Sequence, residues 1–199
     1  MKKIVTQQEL QAIWEQSRPI ISQGSPAKYI PALQSADPSK LGVCVALSNG
    51  TYLKAGDVQE LFTIQSIVKI IIFARCLLDR GTATVSDRVN IEPSNEGFNE
   101  ISSLETKSDK KPLNPMINAG AIACVSLLSG NSSQEKIDQI LDLTRIMANR
   151  RDIYVNQEVY LSEKSTGARN RALGYYLQST GIIPQNEPIE EILDTYFQA

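Results

Sequence analysis

The segment that decides the fold of this chain runs from Phe62 to Ala74 and has the sequence Phe-Thr-Ile-Gln-Ser-Ile-Val-Lys-Ile-Ile-Ile-Phe-Ala. Polar residues in its first half precede a run of apolar ones, a pattern that predicts a largely buried helix. Thr63 is the predicted N-cap, because its hydroxyl can accept a hydrogen bond from a backbone N–H of the first turn. Ser66 and Lys69 are three residues apart, so they lie on one face of this helix.

The Ser-x-x-Lys spacing suits nucleophilic catalysis. A serine hydroxyl becomes an effective nucleophile when a neighbouring base takes its proton, and a lysine can be that base when burial lowers its pKa. Lys69 is followed by the apolar run 70–73, so we expect Ser66 and Lys69 to share a dry pocket. Penicillin-recognising serine enzymes use this spacing. An ordinary capped helix with one lysine reaching the surface also fits it.

The composition is that of a globular protein, and it excludes several kinds of site. The chain has 199 residues, of which 42% are hydrophobic and 21% charged, which predicts one domain spanning residues 1–199. The net charge is −2, so neither a nucleic acid nor a membrane is an expected partner. The absence of histidine excludes Ser-His-Asp triads, Cys-His dyads and histidine-based metal sites.

The cysteines and the first residues predict a cytoplasmic location. Cys44, Cys76 and Cys124 are odd in number and lie far apart in apolar runs, as is typical of buried reduced thiols. The polar residues 6–9 follow the first residues almost directly, which leaves no apolar core for a signal peptide. No apolar run has the length that a bilayer requires.

The sequence predicts one β-hairpin near the N-terminus. Residues 41–47 and 51–54 have the apolar character of strands, and Ser48-Asn49-Gly50 joins them. Asn-Gly accepts a positive φ at both central positions of a hairpin turn. A two-stranded sheet is too small to stand alone, so its apolar side needs cover from helices or from a partner.

The remaining segments are predicted to be mainly helical, because their apolar residues recur at helical spacing. Gly81 is predicted to end the helix that contains Lys69. Asn114 and Pro115 are predicted to be the cap and first residue of a later helix. The other predicted helices occupy residues 6–21, 133–148, 171–177 and 189–197.

Five segments carry a resemblance when they are taken together. They are Tyr-Ile-Pro-x-Leu (29–33), Gln-Ser-x-x-Lys (65–69), Asn-Pro-Met-Ile-Asn-Ala-Gly-Ala-Ile (114–122), Ser-Glu-Lys-x-x-Gly-x-Arg-Asn (162–170) and Leu-Asp-x-Tyr-Phe-Gln (193–198). In this order they make the chain closely resemble the serine-dependent glutaminases from Tyr29 onward. The nine-residue match at 114–122 is far more specific than Ser-x-x-Lys.

The resemblance implies a fold and an activity. It implies an α+β fold of the β-lactamase/transpeptidase type, mostly helical here. It implies hydrolysis of L-glutamine to L-glutamate and ammonia, without metal or organic cofactor, in a homo-oligomer. Ser66 would form the acyl-enzyme with Lys69 as its base. The residues that would bind the substrate are Tyr29, Gln65, Ser66, Asn118, Glu163, Asn170 and Tyr196.

Free glutamine carries an ammonium and a carboxylate, and both need partners in a site of this kind. Glu163 would pair with the ammonium, and Asn118 and Asn170 would bond the α-groups. In the family the domain continues beyond Gln198. That further part is expected to supply most of the sheet, a second catalytic tyrosine and a backbone donor to the oxyanion.

Two alternatives remain open at this point. One is a non-catalytic chain that binds glutamine or a partner subunit. The other is a penicillin-recognising hydrolase, although Lys164-Ser165-Thr166-Gly167 has one residue too many for the Lys-Thr-Gly motif of those enzymes.

Overall fold

The computed structural model describes residues 5–95, 97–98, 101–106 and 108–199. Within these ranges the chain is mostly helical, with one two-stranded antiparallel sheet, as predicted. The elements in chain order are α1 (Gln7–Ser17), β1 (Gly42–Ala46), β2 (Tyr52–Gly56), α2 (Val68–Ser86), α3 (Ser102–Thr106), α4 (Asn118–Leu127), α5 (Ser133–Ala148), α6 (Gln157–Thr166), α7 (Ala168–Ser179) and α8 (Ile189–Gln198).

The chain divides into two compact units, residues 1–63 and residues 64–199. In the first unit α1 packs on the hairpin, and its core contains Leu10, Leu53 and Ala55. The side chain of Gln7 bonds both the N–H and the C=O of Lys54 on β2, at 3.1 and 2.8 Å. One helix therefore covers the apolar face of the sheet and also occupies part of the hydrogen-bonding edge of β2, which would otherwise be open to another strand.

The hairpin lies where the sequence predicts it, but its turn has a different geometry. Val43 pairs with Ala55 and Ala46 with Tyr52. Gly50 has a positive φ of 84°, whereas Asn49 does not. The loop is therefore of the three-residue type, with a left-handed glycine at its end, and the prediction of two positive φ angles was wrong.

The second unit is built around α4. Every residue from Asn118 to Val125 is buried, and α4 packs against α2, α7 and α8. A helix that is apolar all round is stable only when other elements enclose it. The segment that is most enclosed is thus α4, and α2 forms one of its walls.

The helix that carries Lys69 starts later than predicted. Gln65–Ile67 forms a single 3₁₀ turn, and α2 follows from Val68; the N-cap positions are Ile64 and Ile67, and neither element has a side-chain cap. The prediction of Thr63 as the N-cap was therefore wrong. Gly81 interrupts α2 with a φ of 74°, which agrees with its predicted role as a helix end.

The start of α4 also differs from the prediction. The helix begins at Asn118 rather than at Pro115. The side chain of Asn114 accepts a hydrogen bond from the N–H of Met116 at 2.9 Å, which forms an Asx turn in place of a helix cap. A Cβ on Gly120 would lie 1.9 Å from the carbonyl oxygen of Asn114. The glycine is therefore required for this turn to lie directly against α4.

The later helices agree with the predicted segments to within a few residues. Ser132 caps α5 by accepting a hydrogen bond from the N–H of Glu135 at 3.2 Å, and Asn149 ends it with a φ of 49°. Among the helices that the structure describes, none combines the length and the apolar character needed to traverse a bilayer.

Candidate active site

Lys69 is the one lysine that the sequence predicts to be buried, and its side chain is 3% exposed in the structure. It is the second residue of α2 and points toward α4, where its Nζ donates a hydrogen bond of 2.6 Å to Oδ1 of Asn118. Burial lowers the pKa of Lys69 to about 8, against an ordinary value of 10.5. A fraction of this amine is therefore neutral near pH 7, which is the state that a general base needs.

Two asparagines from different helices continue the chain of hydrogen bonds. Asn118, the first residue of α4, donates from Nδ2 to Oδ1 of Asn170 on α7 at 2.9 Å. A buried amide in an apolar helix is stable only when it is hydrogen-bonded. Asn118 meets this requirement with Lys69 on one side and Asn170 on the other. The structure thus brings together three of the predicted site residues from three helices.

Glu163 on α6 is electrostatically coupled to Lys69. Burial raises the pKa of Glu163 to about 7, and the nearby Lys69 ammonium opposes that rise. An acid and an amine whose pKa values have moved toward each other are typical of functional sites. The group therefore contains one carboxyl group, one amine and two amides.

Ser66 lies in the 3₁₀ turn directly before α2, and it is exposed. Within the described residues the amine of Lys69 bonds to Asn118 and not to the Ser66 hydroxyl. The expectation that both groups share a dry pocket was therefore right for the amine and wrong for the hydroxyl. Catalytic hydrogen bonds in unliganded proteins are often long and shorten only when substrate is bound.

Gln65, the residue before Ser66, has a left-handed backbone with a φ of 46°. This conformation is costly for a residue with a side chain, and such strain persists where the surrounding structure enforces it, often at active sites. It turns the chain sharply into the 3₁₀ turn that carries Ser66. No property of the sequence predicts this turn.

A network of polar side chains joins α6, which carries Glu163, to α8. Asp194 accepts a hydrogen bond from the Tyr160 hydroxyl at 2.7 Å, and it also pairs with the Lys164 ammonium. Gln198 donates to the other oxygen of the same carboxylate at 3.1 Å. The residue next to Glu163 is therefore anchored across the helix pair, which restricts the rotation of α6.

Tyr29 and Tyr196 are two further predicted site residues. Tyr29 belongs to the first unit, where its side chain is 66% exposed. Tyr196 is half-buried on α8 and packs edge-to-face on Phe197, with ring centroids 6.0 Å apart. Their roles in substrate binding, like that of Gln65, stay predictions.

Phe98 is a residue of the site that the sequence analysis missed. Its ring centroid lies 5.6 Å from Nζ of Lys69, within the range of a cation–π interaction. Its carbonyl oxygen accepts a hydrogen bond of 2.8 Å from the N–H of Asn118. Phe98 follows a polar loop, and nothing in its sequence neighbourhood indicates a contact with an amine 29 positions earlier.

Among the described residues, the polar groups that these contacts bring together are the amine of Lys69, the carboxyl group of Glu163 and the amides of Asn118 and Asn170. Throughout the part of the chain that the structure describes, no cluster of three or more Cys, Asp or Glu side chains is arranged to hold a metal ion.

Comparison with known proteins identifies the family. The family model described as glutaminase matches residues 24–199. The chain belongs to the glutaminase family. A glutaminase of Clostridium tetani is 47% identical over 192 residues, which cover 96% of this chain and 62% of that protein.

Solved structures agree with this assignment. A probable glutaminase of Bacillus subtilis is 38% identical with a TM-score of 0.84, over 96% of this chain and 57% of that one. The B. subtilis glutaminase YbgJ, in a covalent complex with 5-oxo-L-norleucine formed by reaction with 6-diazo-5-oxo-L-norleucine, is 37% identical with a TM-score of 0.81, over 96% and 58%. The fold is thus β-lactamase-like, as predicted.

The chain spans between 57% and 62% of the length of these three glutaminases. Membership of the family confirms the resemblance that the five sequence segments indicate, and it sets aside the penicillin-recognising hydrolase.

Proposed function

We propose that this chain carries the nucleophile, the base and part of the substrate pocket of a site that hydrolyses L-glutamine. The observation that supports this most is the amine of Lys69, which is buried on the helix turn after Ser66 and is held by Asn118 at 2.6 Å. A buried amine with a lowered pKa, next to a serine, is the arrangement that makes a serine nucleophilic without histidine. The family of the chain adds independent support.

The proposed reaction has two steps. Neutral Lys69 takes the proton of the Ser66 hydroxyl while Oγ attacks the side-chain amide carbon of glutamine. The tetrahedral intermediate collapses to a glutamyl ester on Ser66, and the amide nitrogen leaves as ammonia with the proton returned from Lys69. Water, deprotonated by Lys69, then attacks the ester carbon. The bond to Oγ breaks, Lys69 returns the proton to Oγ, and glutamate and the free serine are released.

Glu163, Asn118 and Asn170 are proposed to hold the α-groups of the substrate. A carboxyl group with a pKa raised to about 7 ionises readily when the α-ammonium of glutamine approaches, because an opposite charge favours the charged form. Asn118 uses one amide hydrogen and one oxygen lone pair within the protein, so one hydrogen and one lone pair are left for the α-carboxylate and α-ammonium. Gln65 and Tyr196 are proposed to complete the pocket within residues 64–199, and Tyr29 is proposed as a further substrate-binding residue.

Covalent labelling tests this proposal without requiring full turnover. The chain is incubated with 6-diazo-5-oxo-L-norleucine and analysed by mass spectrometry of the intact protein and of its tryptic peptides. Attack by Oγ with loss of dinitrogen attaches one 5-oxo-norleucyl group. We expect one adduct per chain, on Ser66, which L-glutamine suppresses.

Matched variants identify the labelled residue and test the role of the base. Ser66→Ala is expected to abolish it, and Lys69→Met to slow it strongly. Ser86→Ala, which changes an exposed serine at the other end of the same helix, is expected to label like the unaltered chain. Equal labelling of Ser66→Ala and the unaltered chain would refute Ser66 as the nucleophile.

A chain that binds glutamine without hydrolysing it is the second candidate, favoured by one observation. Ser66 is exposed, and within the described residues the Lys69 amine bonds to Asn118 in its place. Calorimetric titration with glutamine separates the two. Binding that Glu163→Gln weakens, together with no labelling of Ser66, would establish binding alone.

We also propose that the chain is a cytoplasmic homo-oligomer that binds neither nucleic acid nor membrane. The net charge of −2 gives little attraction to phosphates. The three cysteines are free thiols, and the prediction that all of them are buried was wrong for Cys44, which is exposed. Ile67, in the turn before α2, and Ile70 and Leu78, on α2, are each more than half exposed. A group of exposed apolar residues of this kind commonly marks an interface. Sedimentation equilibrium of the chain and of Leu78→Gln tests the association.

A further inference from the structure

We propose that Phe98 is a positioning residue of the Ser66–Lys69 site: its ring shields one side of the Lys69 amine from water, and its carbonyl oxygen holds Asn118 where it binds that same amine. The inference rests on the proposed role of Lys69 as the base. It concerns a residue that lies outside the sequence motifs of the site.

Two contacts place Phe98 in this role. The ring centroid lies 5.6 Å from Nζ of Lys69, and the Phe98 carbonyl accepts a 2.8 Å hydrogen bond from the backbone N–H of Asn118. Asn118 in turn accepts the 2.6 Å hydrogen bond from Nζ. One residue therefore contacts the amine directly through its ring and indirectly through the amine's hydrogen-bond acceptor.

The loop that leads to Phe98 is attached to the segment that leads into α4. The N–H groups of Asn90 and Glu92 bond to the carbonyls of Pro112 and Leu113 at 2.9 and 2.7 Å. The side chain of Asn114 donates to the carbonyl of Glu92 at 2.8 Å. The loop and the start of α4 are thus connected before Phe98 as well as at Phe98, so the ring is presented to the amine by a connected scaffold.

The Phe98 ring has two opposing effects on the pKa of Lys69. A π face attracts an ammonium and favours the charged amine, whereas the exclusion of water favours the neutral amine. Desolvation is the principal reason that the pKa of Lys69 is lowered to about 8. Phe98 is 61% exposed, whereas Lys69 is 3% exposed and its amine lies 5.6 Å from the centre of the Phe98 ring. We therefore place the ring on the solvent side of the amine. We therefore assign the main effect of Phe98 to shielding.

Charged groups around the amine do not change this assignment. Among the residues that the structure describes, Glu163 on α6 is the carboxyl group that acts on Lys69, and it favours the ammonium. The side chains that α4 and α7 contribute through Asn118 and Asn170 are neutral amides. A change at Phe98 alters neither of these, so its effect on the amine can be measured separately.

Three variants separate shielding from the attraction of the π face. Phe98→Ala lets water reach the amine, so the pKa of Lys69 should rise by about one unit. Phe98→Leu keeps an apolar cover without the π face, so the pKa should stay equal to that of the unaltered chain or fall below it. Ile91→Ala changes another exposed apolar residue of the same loop and should leave the pKa unchanged.

The direct measurement is the pH titration of the ¹³Cε signal of Lys69 by NMR, with the signal assigned by its loss in Lys69→Met. Shielding is supported if the pKa of Lys69 is lower in the unaltered chain than in Phe98→Ala, and if its value in Phe98→Leu does not exceed that of the unaltered chain. Equal pKa values for the unaltered chain and Phe98→Ala would overturn it, and so would a pKa in Phe98→Leu as high as in Phe98→Ala. Should Phe98→Ala lose cooperative unfolding, Phe98→Thr replaces it with the same expected rise.

Labelling by 6-diazo-5-oxo-L-norleucine adds a second readout that keeps the two proposals distinct. A rise of about one unit in the lysine pKa lowers the neutral fraction at pH 7, and with it the labelling rate, about tenfold. If the pKa values of Lys69 follow the expected order but neither the unaltered chain nor any variant is labelled, the proposed reaction is refuted and the shielding is supported. Labelling of the unaltered chain with no change in Phe98→Ala would refute the shielding alone.

Discussion

The buried amine and acid of the candidate site should leave a distinctive trace in the pH dependence of stability. The pKa of Lys69 is lowered from 10.5 to about 8, and that of Glu163 is raised from 4.5 to about 7, in both cases mainly by burial. Each shift favours the neutral form of its group. The folded chain is therefore penalised most between about pH 7 and about pH 8, where both groups carry charge.

The sign of each contribution follows from proton binding. Between pH 4.5 and 7 the folded chain keeps the proton of Glu163 that the unfolded chain has lost, so the free energy of unfolding falls as the pH rises. Between pH 8 and 10.5 the unfolded chain keeps the proton of Lys69 that the folded chain has lost, so the free energy of unfolding rises with pH. The fall on the acidic side and the rise on the alkaline side, called here the acidic and alkaline limbs, together give the free energy of unfolding a minimum near pH 7.5.

The depth of that minimum can be estimated from the two pKa values. The pKa of Lys69 is displaced by about two and a half units at about 1.4 kcal/mol each, which gives about 3 kcal/mol for the alkaline limb. The carboxyl group of Glu163 is only half-buried, and screening by solvent reduces the acidic limb to about 2 kcal/mol. Both magnitudes are a substantial fraction of a typical stability of about 5–15 kcal/mol.

The assay compares the chain with the double variant Lys69→Met/Glu163→Gln, which keeps the shapes and removes both titrations. Urea unfolding is followed by far-ultraviolet circular dichroism, which reports mainly the helices of the second unit, from acid to alkaline pH. We expect the difference in stability between the two chains to favour the double variant most near pH 7.5. Loss of the hydrogen bond from Lys69 to Asn118 lowers the stability of the variant by a similar amount at every pH.

Single variants show which group causes each part of the pH dependence. Lys69→Met should remove the alkaline rise alone, and Glu163→Gln the acidic fall alone. A difference in stability between the unaltered chain and the double variant that stays constant over the whole pH range would show that neither group is buried as described, and the proposed base would lose its physical basis.

Three further predictions concern the scaffold. Gly120→Ala should lower the free energy of unfolding in urea by more than about 3 kcal/mol, because the added Cβ would lie 1.9 Å from the carbonyl oxygen of Asn114. In Gly174→Ala the added Cβ would meet only side-chain atoms at 3.0 Å or more, so the loss should be less than half as large. Equal losses in the two variants would contradict the described packing. Gln65→Gly should be about 1 kcal/mol more stable than Gln65→Ala, since glycine tolerates a φ of 46°; an alanine variant of equal or greater stability would refute the strain. Ser132→Ala should lower the unfolding free energy by about 1 kcal/mol through loss of the N-cap of α5, and an unchanged thermal midpoint would count against that cap.

Most helices could be predicted from the sequence, because they depend on local patterns. The helix α5 shows this best: Ser132 as cap, apolar residues at helical spacing and Asn149 at the end fix both of its limits. The predicted start of α4 was wrong because Asn114 suits either a helix cap or an Asx turn. The side chain of Asn114 also donates a hydrogen bond to the distant carbonyl of Glu92, and this contact favours the turn.

The candidate site was only partly predictable, for a related reason. Motif spacing places Ser66 and Lys69 on consecutive turns, and the resemblance to a family adds the asparagines and Glu163. The contact between Phe98 and Lys69 depends on a loop whose course is set by hydrogen bonds to residues 112–114 and to Asn118. Contacts of this kind have no periodicity, so sequence patterns do not indicate them.

The structure also separates two requirements of the proposed reaction that the sequence could not distinguish. Activation of a serine needs a neutral amine, and the burial of Lys69 against Asn118 and Phe98 meets that need within residues 64–199. Stabilisation of the tetrahedral intermediate needs donors aimed at its oxyanion, and loss of one such donor costs about 2.7–4 kcal/mol of barrier in acyl-transfer enzymes. The first requirement is a property of ground-state packing and can be tested by titration, whereas the second acts only when the carbonyl of a substrate is attacked. A chain that shows the predicted pKa values and is labelled by the diazo compound, but hydrolyses glutamine slowly, would therefore have a working base and an incomplete oxyanion site.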